Sequence, residues 1–356
     1  MVEWIGSSIG SDSHEKTMRF RLRFRSSLIF ALASAFISFV VHAEEIYVTN
    51  QKSDSVSIVD IRTRKVIDTI DIGGWFPHNI VFSPDGREAW IANLGSANIS
   101  ILDTSTRKLK MTLPPGGLCE GDIHPRRPWS EPQGIKEDCS RVHEVAVRPD
   151  GKFAYITNLD SDYIWVFDAI TKKEIGRIKS GSSARMVFSR DGKTGYVVSS
   201  HSLSIPVVDT TENKITHELP VGKGVFGLAI SPDDSLLYIT TGKDNHLIIL
   251  DIAGKKKLAE IMVGNDPHTV VISSDGSRAY VTNRDDNEVA IIDTVKREII
   301  RKIKSGREPD LAALSGQYLY VTNKKDNTLS IINTVSLELE STIRVGREPH
   351  GIAVKP

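Results

Sequence analysis

A short motif that begins with an aromatic residue recurs seven times along the chain, and its spacing limits the possible folds more than any other feature. The copies read YVTN, WIAN, YITN, YVVS, YITT, YVTN and YVTN, and they begin at Tyr47, Trp90, Tyr155, Tyr196, Tyr238, Tyr280 and Tyr320. The spacings are 43, 65, 41, 42, 42 and 40 residues. A period of about forty residues, with aromatic and β-branched runs between turn residues, is typical of one four-stranded blade per repeat. The sequence therefore predicts an all-β fold, a seven-bladed β-propeller with four antiparallel strands per blade.

Alternating apolar residues and turn residues divide each repeat into four predicted strands. In the sixth repeat these strands are His268 to Ser273, Ala279 to Asn283, Val289 to Asp293 and Glu298 to Ile303. An Asx residue ends the third strand of every repeat, namely Asp60, Asp103, Asp168, Asp209, Asp251, Asp293 and Asn333. Because this residue recurs in every blade, we interpret it as a turn former and not as a catalytic carboxylate.

The two ends of the repeat array predict how the propeller closes. The chain enters the array at Ile46, without the strand that precedes the motif in the other repeats. That missing strand occurs at the C-terminus, where Pro349 to Val354 (PHGIAV) resembles Pro77 to Phe82 (PHNIVF). We therefore expect the C-terminal strand to complete the first blade, which would leave no open sheet edge in the ring.

The first 43 residues read as an N-terminal extension followed by a secretory signal peptide. Four arginines between Arg19 and Arg25 precede an apolar run from Leu28 to Val41, and Val41-His42-Ala43 resembles a cleavage site. The run is shorter than the roughly twenty residues that a transmembrane helix needs. We expect a periplasmic or secreted protein with no membrane span after signal cleavage; an uncleaved membrane anchor is the alternative.

Residues 44–356 are long enough for a complete propeller as one domain. They contain 40 Lys and Arg against 42 Asp and Glu, so their net charge is about −2 with neutral histidines. A nearly neutral surface gives no electrostatic reason to expect binding to nucleic acid.

The long spacing between the second and third motifs indicates an inserted loop at about 114–141, rich in Pro, Gly and charged residues. The insert contains both cysteines of the chain, Cys119 and Cys139. In an exported protein such a pair is most simply a disulfide, although metal thiolates are an alternative. Neither cysteine lies in the C-x-x-C-H pattern of covalent c-type haem.

A second irregularity lies at the start of the innermost strands. Their aligned residues, in blade order, are His350, His78, His143, Ala184, Phe226, His268 and Asp310. Imidazole and carboxylate are ligands for copper, zinc or iron, and a ring of strands can bring them to one centre. The same residues could instead cap the strands or bond a neighbouring blade, and protonated histidines could bind an anion. Alternation leaves open whether these side chains face the channel. If these residues bind a metal ion, we expect its affinity to fall below about pH 6.5, whereas the affinity for an anion would rise over the same range.

Loops on the face where the insert emerges are the expected working surface, because rigid propellers carry function on such loops. Trp75 and Phe76 lie in the connection one blade before the insert, and His124 and Trp129 lie within it. Exposed aromatic side chains are frequent interface anchors. We expect these four residues to contact a protein partner or a small ligand.

The motif copies, together with VGREPHGIAV at Val345 to Val354 and SPDG at Ser83 to Gly86, resemble the YVTN family of β-propeller repeats. The resemblance covers nearly everything from Glu45 onwards. It implies a relationship to surface-layer proteins, to periplasmic partners of pyrroloquinoline-quinone dehydrogenase systems and to cytochrome d1-like domains. More distant seven-bladed propellers include lactonases, virginiamycin B lyase and nitrous oxide reductase, in which a histidine ring in a similar position holds copper.

Three functions are consistent with this pattern. The interpretation we favour is an exported, non-catalytic propeller that binds a protein partner or small ligand beside a periplasmic redox or transport system. The first alternative is a metal- or haem-dependent redox protein that uses the His and Asp residues, and the second is a lactonase or lyase. A propeller alone does not select among them.

Processing of the chain gives a direct test of the N-terminal and cysteine interpretations. We expect the exported protein to begin at or near Glu44 and to carry a disulfide between Cys119 and Cys139. Intact mass spectrometry of the exported protein, before and after alkylation without reductant, measures both. Two alkylated thiols in the native protein would contradict the disulfide.

Overall fold

The strands that the structure describes form seven sheets of four antiparallel strands, as predicted. A computed structural model describes residues 45–114, 141–199, 202–222 and 224–356. From the innermost strand outwards, blade 1 is β28 (Pro349–Val354), β1 (Glu45–Asn50), β2 (Ser55–Asp60) and β3 (Lys65–Asp71). Blade 2 is β4 (Pro77–Phe82), β5 (Glu88–Asn93), β6 (Asn98–Asp103) and β7 (Lys108–Leu113). Blade 3 is β8 (Val142–Val147), β9 (Phe153–Asn158), β10 (Tyr163–Asp168) and β11 (Glu174–Lys179).

The other four blades repeat this order. Blade 4 is β12 (Arg185–Phe188), β13 (Thr194–Val198), β14 (Ser204–Asp209) and β15 (Lys214–Pro220). Blade 5 is β16 (Gly227–Ile230), β17 (Leu236–Thr241), β18 (His246–Asp251) and β19 (Lys256–Met262), with a 3₁₀ turn at Gly242–Asp244. Blade 6 is β20 (Pro267–Ile272), β21 (Arg278–Asn283), β22 (Glu288–Asp293) and β23 (Glu298–Lys304). Blade 7 is β24 (Pro309–Ser315), β25 (Tyr318–Asn323), β26 (Thr328–Asn333) and β27 (Glu338–Arg344).

The seven innermost strands contact one another in a closed ring, from β4 through β8, β12, β16, β20 and β24 to β28 and back to β4. The ring closes because the C-terminal β28 pairs antiparallel with β1, with Ile46 opposite Val354 and Val48 opposite Ile352. The prediction that the C-terminal strand completes the first blade is therefore confirmed. This closure joins the two ends of the repeat array in one sheet.

The second strand of each blade, which carries the motif, forms the core of the propeller. Tyr47, Val48, Thr49 and Asn50 are fully buried. Alternate residues of such a strand face the two neighbouring blades, so both faces must be apolar or hydrogen-bonded. The blade interfaces are accordingly hydrophobic.

The motif threonine joins each blade to the next. Thr49 Oγ1 donates to the carbonyl of His78 at 3.1 Å. The same bond, at 2.8 to 3.0 Å, joins Thr157 to Ala184, Thr240 to His268, Thr282 to Asp310 and Thr322 to His350. The equivalent motif positions are Ala92 in blade 2 and Val198 in blade 4, which have no hydroxyl. In five blades the motif therefore fixes the backbone of the second residue of an innermost strand, or of the residue just before it.

The motif asparagine requires a glycine in the connection beside it. Asn50 Nδ2 donates to Ser57 Oγ at 2.9 Å inside blade 1. Gly346 packs directly on this amide, since a Cβ atom on Gly346 would lie 2.4 Å from Asn50 Cγ. The same close approach occurs at Gly74, Gly264 and Gly306. Packing on the motif asparagine thus explains why a glycine precedes these four innermost strands.

The Asx residue at the end of each third strand is a turn former, as predicted. Asp60 Oδ1 accepts the backbone N–H of Thr63 at 2.7 Å. Equivalent bonds to backbone N–H groups occur at Asp103, Asp168, Asp209, Asp251, Asp293 and Asn333. These Asx side chains therefore stabilise turns at the ends of the third strands.

One face of the propeller carries all the connections that lead into the innermost strands and the hairpins between second and third strands; we call it the connecting face. The insert joins β7 to β8 and therefore leaves and enters the propeller on this face. Cys119, His124, Trp129 and Cys139 lie outside the described residues. In the part of the chain that the structure describes, no helix has the length and apolar character needed to cross a membrane.

Removal of residues 349–356 tests the closure. The truncated protein is expected to melt more than roughly 10 °C lower than the native protein. A buried innermost strand contributes well over about 5 kcal/mol to the free energy of unfolding through burial and hydrogen bonds. Each kcal/mol shifts the melting midpoint by about 2 °C or more. Calorimetry measures the shift, with removal of Pro356 alone as the control. An unchanged melting temperature after the longer truncation would contradict closure by β28.

Candidate functional site

The aligned histidines and the aspartate lie at the same place in five innermost strands. His350, His78, His143, His268 and Asp310 are each the second residue of their strand, in blades 1, 2, 3, 6 and 7. In blades 4 and 5 the equivalent residues, Ala184 and Phe226, lie just before the strand. Because these positions are near the start of the strands, they are close to the connecting face.

Ring contacts show that these side chains converge on the channel. The centroid of the His78 ring lies 3.8 Å from that of His350 and 4.1 Å from that of His143. The His268 ring centroid lies 6.1 Å from that of His350 and 4.6 Å from that of Phe226. The side chains of His78, His143, His268, Asp310 and His350 therefore face the channel, which the alternation of the strands alone could not decide. We call these five residues the channel cluster.

Two histidines of the channel cluster use one ring nitrogen to bond the neighbouring blade. His350 Nδ1 lies 2.9 Å from the carbonyl oxygen of His78, and His143 Nδ1 lies 2.5 Å from that of Ala184. A carbonyl oxygen only accepts, so each Nδ1 must carry the proton. In the neutral ring, Nε2 then has a free lone pair. The alternative of a bond to a neighbouring blade is therefore correct for these residues, and it leaves a ligand atom available.

His268, Asp310 and His350 form a compact set of possible metal ligands. One ligand atom from each residue lies within 4.8 Å of the other two. His268 Nδ1 is 3.0 Å from Asp310 Oδ1, and His350 Nε2 is 3.5 Å from Asp310 Oδ2. Among the described residues, His268 Nδ1 and Asp310 Oδ2 have no partner with hydrogen-bond geometry. Two acceptors, His350 Nε2 and the carboxylate, thus face each other, which favours a cation between them.

Burial keeps the histidines of the cluster neutral. It lowers the pKa of His350 to about 3 and holds the pKa values of His78 and His268 well below the ordinary range. Burial also lowers the pKa of His143. At neutral pH each imidazole is therefore uncharged, as a metal ligand must be.

Asp310 is fully buried, yet it remains ionised. Burial acts to raise the pKa of this carboxyl, but its interactions with His350, His268, Arg284 and Lys324, in decreasing order, outweigh burial and hold the pKa well below the ordinary value. Arg284 Nη2 donates to Asp310 Oδ1 at 2.6 Å.

Sequence reasoning missed Arg284 and Lys324. Each directly follows the last residue of a motif, at the start of the hairpin between the second and third strands on the connecting face. An alignment of the position after each motif would have found them, because they are the basic residues among the seven aligned there. The seven-fold motif itself ends one residue earlier, at Asn283 and Asn323.

A second polar group lies one residue further along the innermost strands. Arg185 Nη2 binds Glu144 Oε1 at 2.8 Å, and Arg185 Nη1 donates to Thr269 Oγ1 at 3.0 Å. Arg185 thus joins blades 3, 4 and 6 across the channel. Since its charge is paired with a buried carboxylate, we assign this group to channel structure.

The predicted aromatic anchors are only partly described. Trp75 is 44% exposed on the connecting face, where its backbone N–H donates to Ser96 Oγ at 3.0 Å. Phe76 is half-buried with a φ of 54°, and its N–H donates to Asp54 Oδ1 at 2.8 Å. The exposure of Trp75 is what a contact role requires, and that role stays a prediction.

Comparisons with known proteins support the fold, and one family model matches part of the chain. The family model described as "Lactonase, 7-bladed beta-propeller" matches residues 124–299, which correspond to part of the insert and blades 3 to 6. No curated protein matches the chain. The matched segment includes His143 and His268 but ends before Asp310 and His350.

Solved structures with the same fold have low sequence identity to the chain. A structure of Kuenenia stuttgartiensis hydrazine synthase is 19% identical over 81% of this chain and 92% of its own, with a TM-score of 0.69. A functionally unknown protein from Desulfotomaculum acetoxidans DSM 771 is 15% identical over 87% and 98%, with a TM-score of 0.70. Dihydro-heme d1 dehydrogenase NirN in complex with DHE is 14% identical over 85% and 64%, with a TM-score of 0.62. The expected association with pyrroloquinoline-quinone systems stays a prediction.

The buried neutral histidines predict a specific pH dependence of stability. Their folded-state pKa values are depressed, so the unfolded chain binds more protons below pH 6.5 and stability falls as pH decreases through that value. Between pH 6.5 and 5.0 each such histidine costs about 1.5 kcal/mol. In metal-free buffer, His78→Phe is expected to reduce the loss of unfolding free energy over this range by about that amount.

Urea denaturation at the two pH values measures the difference. His217→Phe, on an exposed part of β15, is the control and should retain the pH dependence of the native protein. Equal losses in the native protein and in His78→Phe would show that this imidazole is not buried in its neutral form.

Proposed function

We propose that this propeller binds one divalent transition-metal ion in the channel cluster, through His268, Asp310 and His350. The observation that carries the proposal is the contact of His350 Nε2, a neutral acceptor, with the ionised Asp310 at 3.5 Å in a buried site. Two facing acceptors without a bridging proton or cation repel each other. A metal ion removes this repulsion and uses both atoms as ligands.

The spacing of the ligand atoms suits one ion. Ligands at about 2.0–2.2 Å from a tetrahedral zinc ion lie roughly 3.3–3.6 Å apart, so atoms within 4.8 Å of one another need to approach by up to about 1 Å. The bond from His350 Nδ1 to the His78 carbonyl fixes the tautomer and the ring orientation, as hydrogen bonds behind metal ligands commonly do. Two imidazoles and a carboxylate suit zinc, copper or iron.

Three protein ligands leave room for an outside ligand, which is typical of functional metal sites more than of structural ones. This supports a metal-dependent ligand-binding or redox role on the connecting face, and it disfavours a purely passive scaffold. We propose export to the periplasm for the same protein, on the basis of residues 1–43. Trp75, Phe76 and the insert residues His124 and Trp129 remain our candidates for partner contact on this face.

A lactonase activity is the second candidate, because the matching family model carries that description. A bound divalent ion can polarise a carbonyl and activate water. His268, Asp310 and His350 would hold the ion, while Arg284, bonded to Asp310, would lie beside the carboxylate of a ring-opened product. Hydrolysis of lactones by the metal-loaded protein, lost in Asp310→Asn, would support this function.

Metal titration of the chelator-treated protein tests the proposed site. We expect one equivalent of Zn²⁺ or Co²⁺ to bind, and Asp310→Asn to weaken binding by at least about 100-fold, since loss of a direct ligand should exceed the 10- to 100-fold effect of outer partners. Equilibrium dialysis with elemental analysis measures both. Asp266→Asn, a carboxylate on the same face outside the cluster, is the matched control.

The pH range of metal binding separates this buried site from exposed histidines. Burial lowers the pKa values of His350 and His268, so protons do not compete with the metal ion at pH 6.5. The loss of metal affinity below about pH 6.5 that we expected from the sequence is therefore replaced by retention of the metal at pH 5. Release of the ion near pH 6.5, or equal metal content in Asp310→Asn and the native protein, would contradict the proposed site.

A further inference from the structure

We infer that the outside ligand of the metal centre is a small organic carboxylate, recognised by Arg284, Lys324 and Gln51. The inference rests on the proposed metal site and names the class of ligand that fills its remaining coordination position. Three independent features of the connecting face lead to it: the placement of these residues, their unused polar atoms, and the charge around the ion.

These residues occupy one structural position in three blades. The residues that directly follow the seven motifs are Gln51, Leu94, Leu159, Ser200, Gly242, Arg284 and Lys324. Both basic residues fall in blades 6 and 7, and Gln51 falls in blade 1. These are the blades that supply the three proposed metal ligands, so the polar side of the channel mouth lies next to the metal centre. Leu94 and Leu159 occupy the same position in blades 2 and 3.

Arg284 keeps donor capacity beside the cluster. Its Nη2 is bonded to Asp310, whereas its buried Nε has no hydrogen-bond partner among the described residues. The guanidinium lies 5.7 Å from the ring centroid of Phe226, which is 37% exposed at the channel mouth. A guanidinium beside an exposed aromatic ring suits a ligand with one carboxylate and an apolar part.

Lys324 and Gln51 add further free capacity. Lys324 Nζ is 4.0 Å from the nearest Glu308 oxygen, too far for a hydrogen bond, while its charge helps to lower the pKa of His350. Gln51 is 1% exposed, and its Oε1 has no hydrogen-bond partner in the described part of the chain. Because amide O and N atoms exchange by a half-turn, Gln51 can present either a donor or an acceptor to a bound ligand.

The basic side chains suit an anion. Arg284 and Lys324 lie beside the proposed ion site, where Asp310 Oδ1 is 2.6 Å from Arg284 Nη2 and Glu308 Oε1 is 4.0 Å from Lys324 Nζ. A ligand carboxylate can bind the ion through oxygen and matches the guanidinium fork. Because the positive charges come from Arg and Lys, this binding does not require protonated histidines, unlike the anion site considered from the sequence.

Cobalt-loaded protein tests this inference with acetate as the probe. We expect acetate to change the visible Co²⁺ spectrum with a saturable dependence, and acetamide, its neutral analogue, to leave the spectrum unchanged. Lys324→Gln is expected to bind one cobalt ion and to weaken acetate binding by at least about ten-fold, the effect of one charge-assisted hydrogen bond. Lys324 is chosen because Arg284 is bonded to a proposed metal ligand, so its replacement would alter the centre itself.

Lys325→Gln is the matched control. Lys325 is the next residue, its side chain is 67% exposed, and it binds Glu308 at 2.8 Å, so its replacement should leave acetate affinity unchanged. Cobalt content, measured first, separates the two claims. Absence of cobalt from the native protein contradicts both the metal site and this inference. Bound cobalt with a spectrum that ignores acetate, or equal acetate affinity in Lys324→Gln and the native protein, contradicts the inference alone.

Discussion

One hydrogen bond, repeated across blade boundaries, positions the rest of this structure. The motif threonine donates to the carbonyl at the aligned inner-strand position of the next blade, as Thr322 does to His350 at 2.9 Å. This bond uses only the backbone of the receiving residue, so its side chain is free to vary. The carbonyl acceptors accordingly belong to His, Asp and Ala residues. The repeat that builds the ring therefore also fixes the positions from which the channel cluster projects.

The functional asymmetry of the ring follows from what occupies that position. Blades 6, 7 and 1 supply His268, Asp310 and His350, whereas blades 4 and 5 supply Ala184 and Phe226. The pKa of the buried Asp310 carboxyl is held low by His350, His268, Arg284 and Lys324, and burial lowers the pKa values of the imidazoles. The cluster is thus set up to hold a cation without first losing protons.

The fold could be predicted from sequence because its causes are local and repeated. Turn-forming Asx residues, the motif strands and the split repeat at Pro349 to Val354 each leave a direct mark on the sequence. The alignment also identified the cluster residues from His78 to His350. It could not give their direction, since alternation is shared by both faces of a strand, nor the burial that lowers their pKa values. Arg284 and Lys324 were missed because they lie in hairpins just beyond the periodic pattern, where charged residues are ordinarily solvent-exposed.

The central claim is that a ring of repeats has been used to build one metal centre. Diffraction from crystals of the zinc-loaded protein, with an anomalous difference map at the zinc edge, tests it most directly. The account predicts one strong peak about 2.0–2.2 Å from atoms of His268, Asp310 and His350. A strong peak at Cys119 and Cys139 with none in the channel cluster, or zinc confined to surface carboxylates, would contradict it.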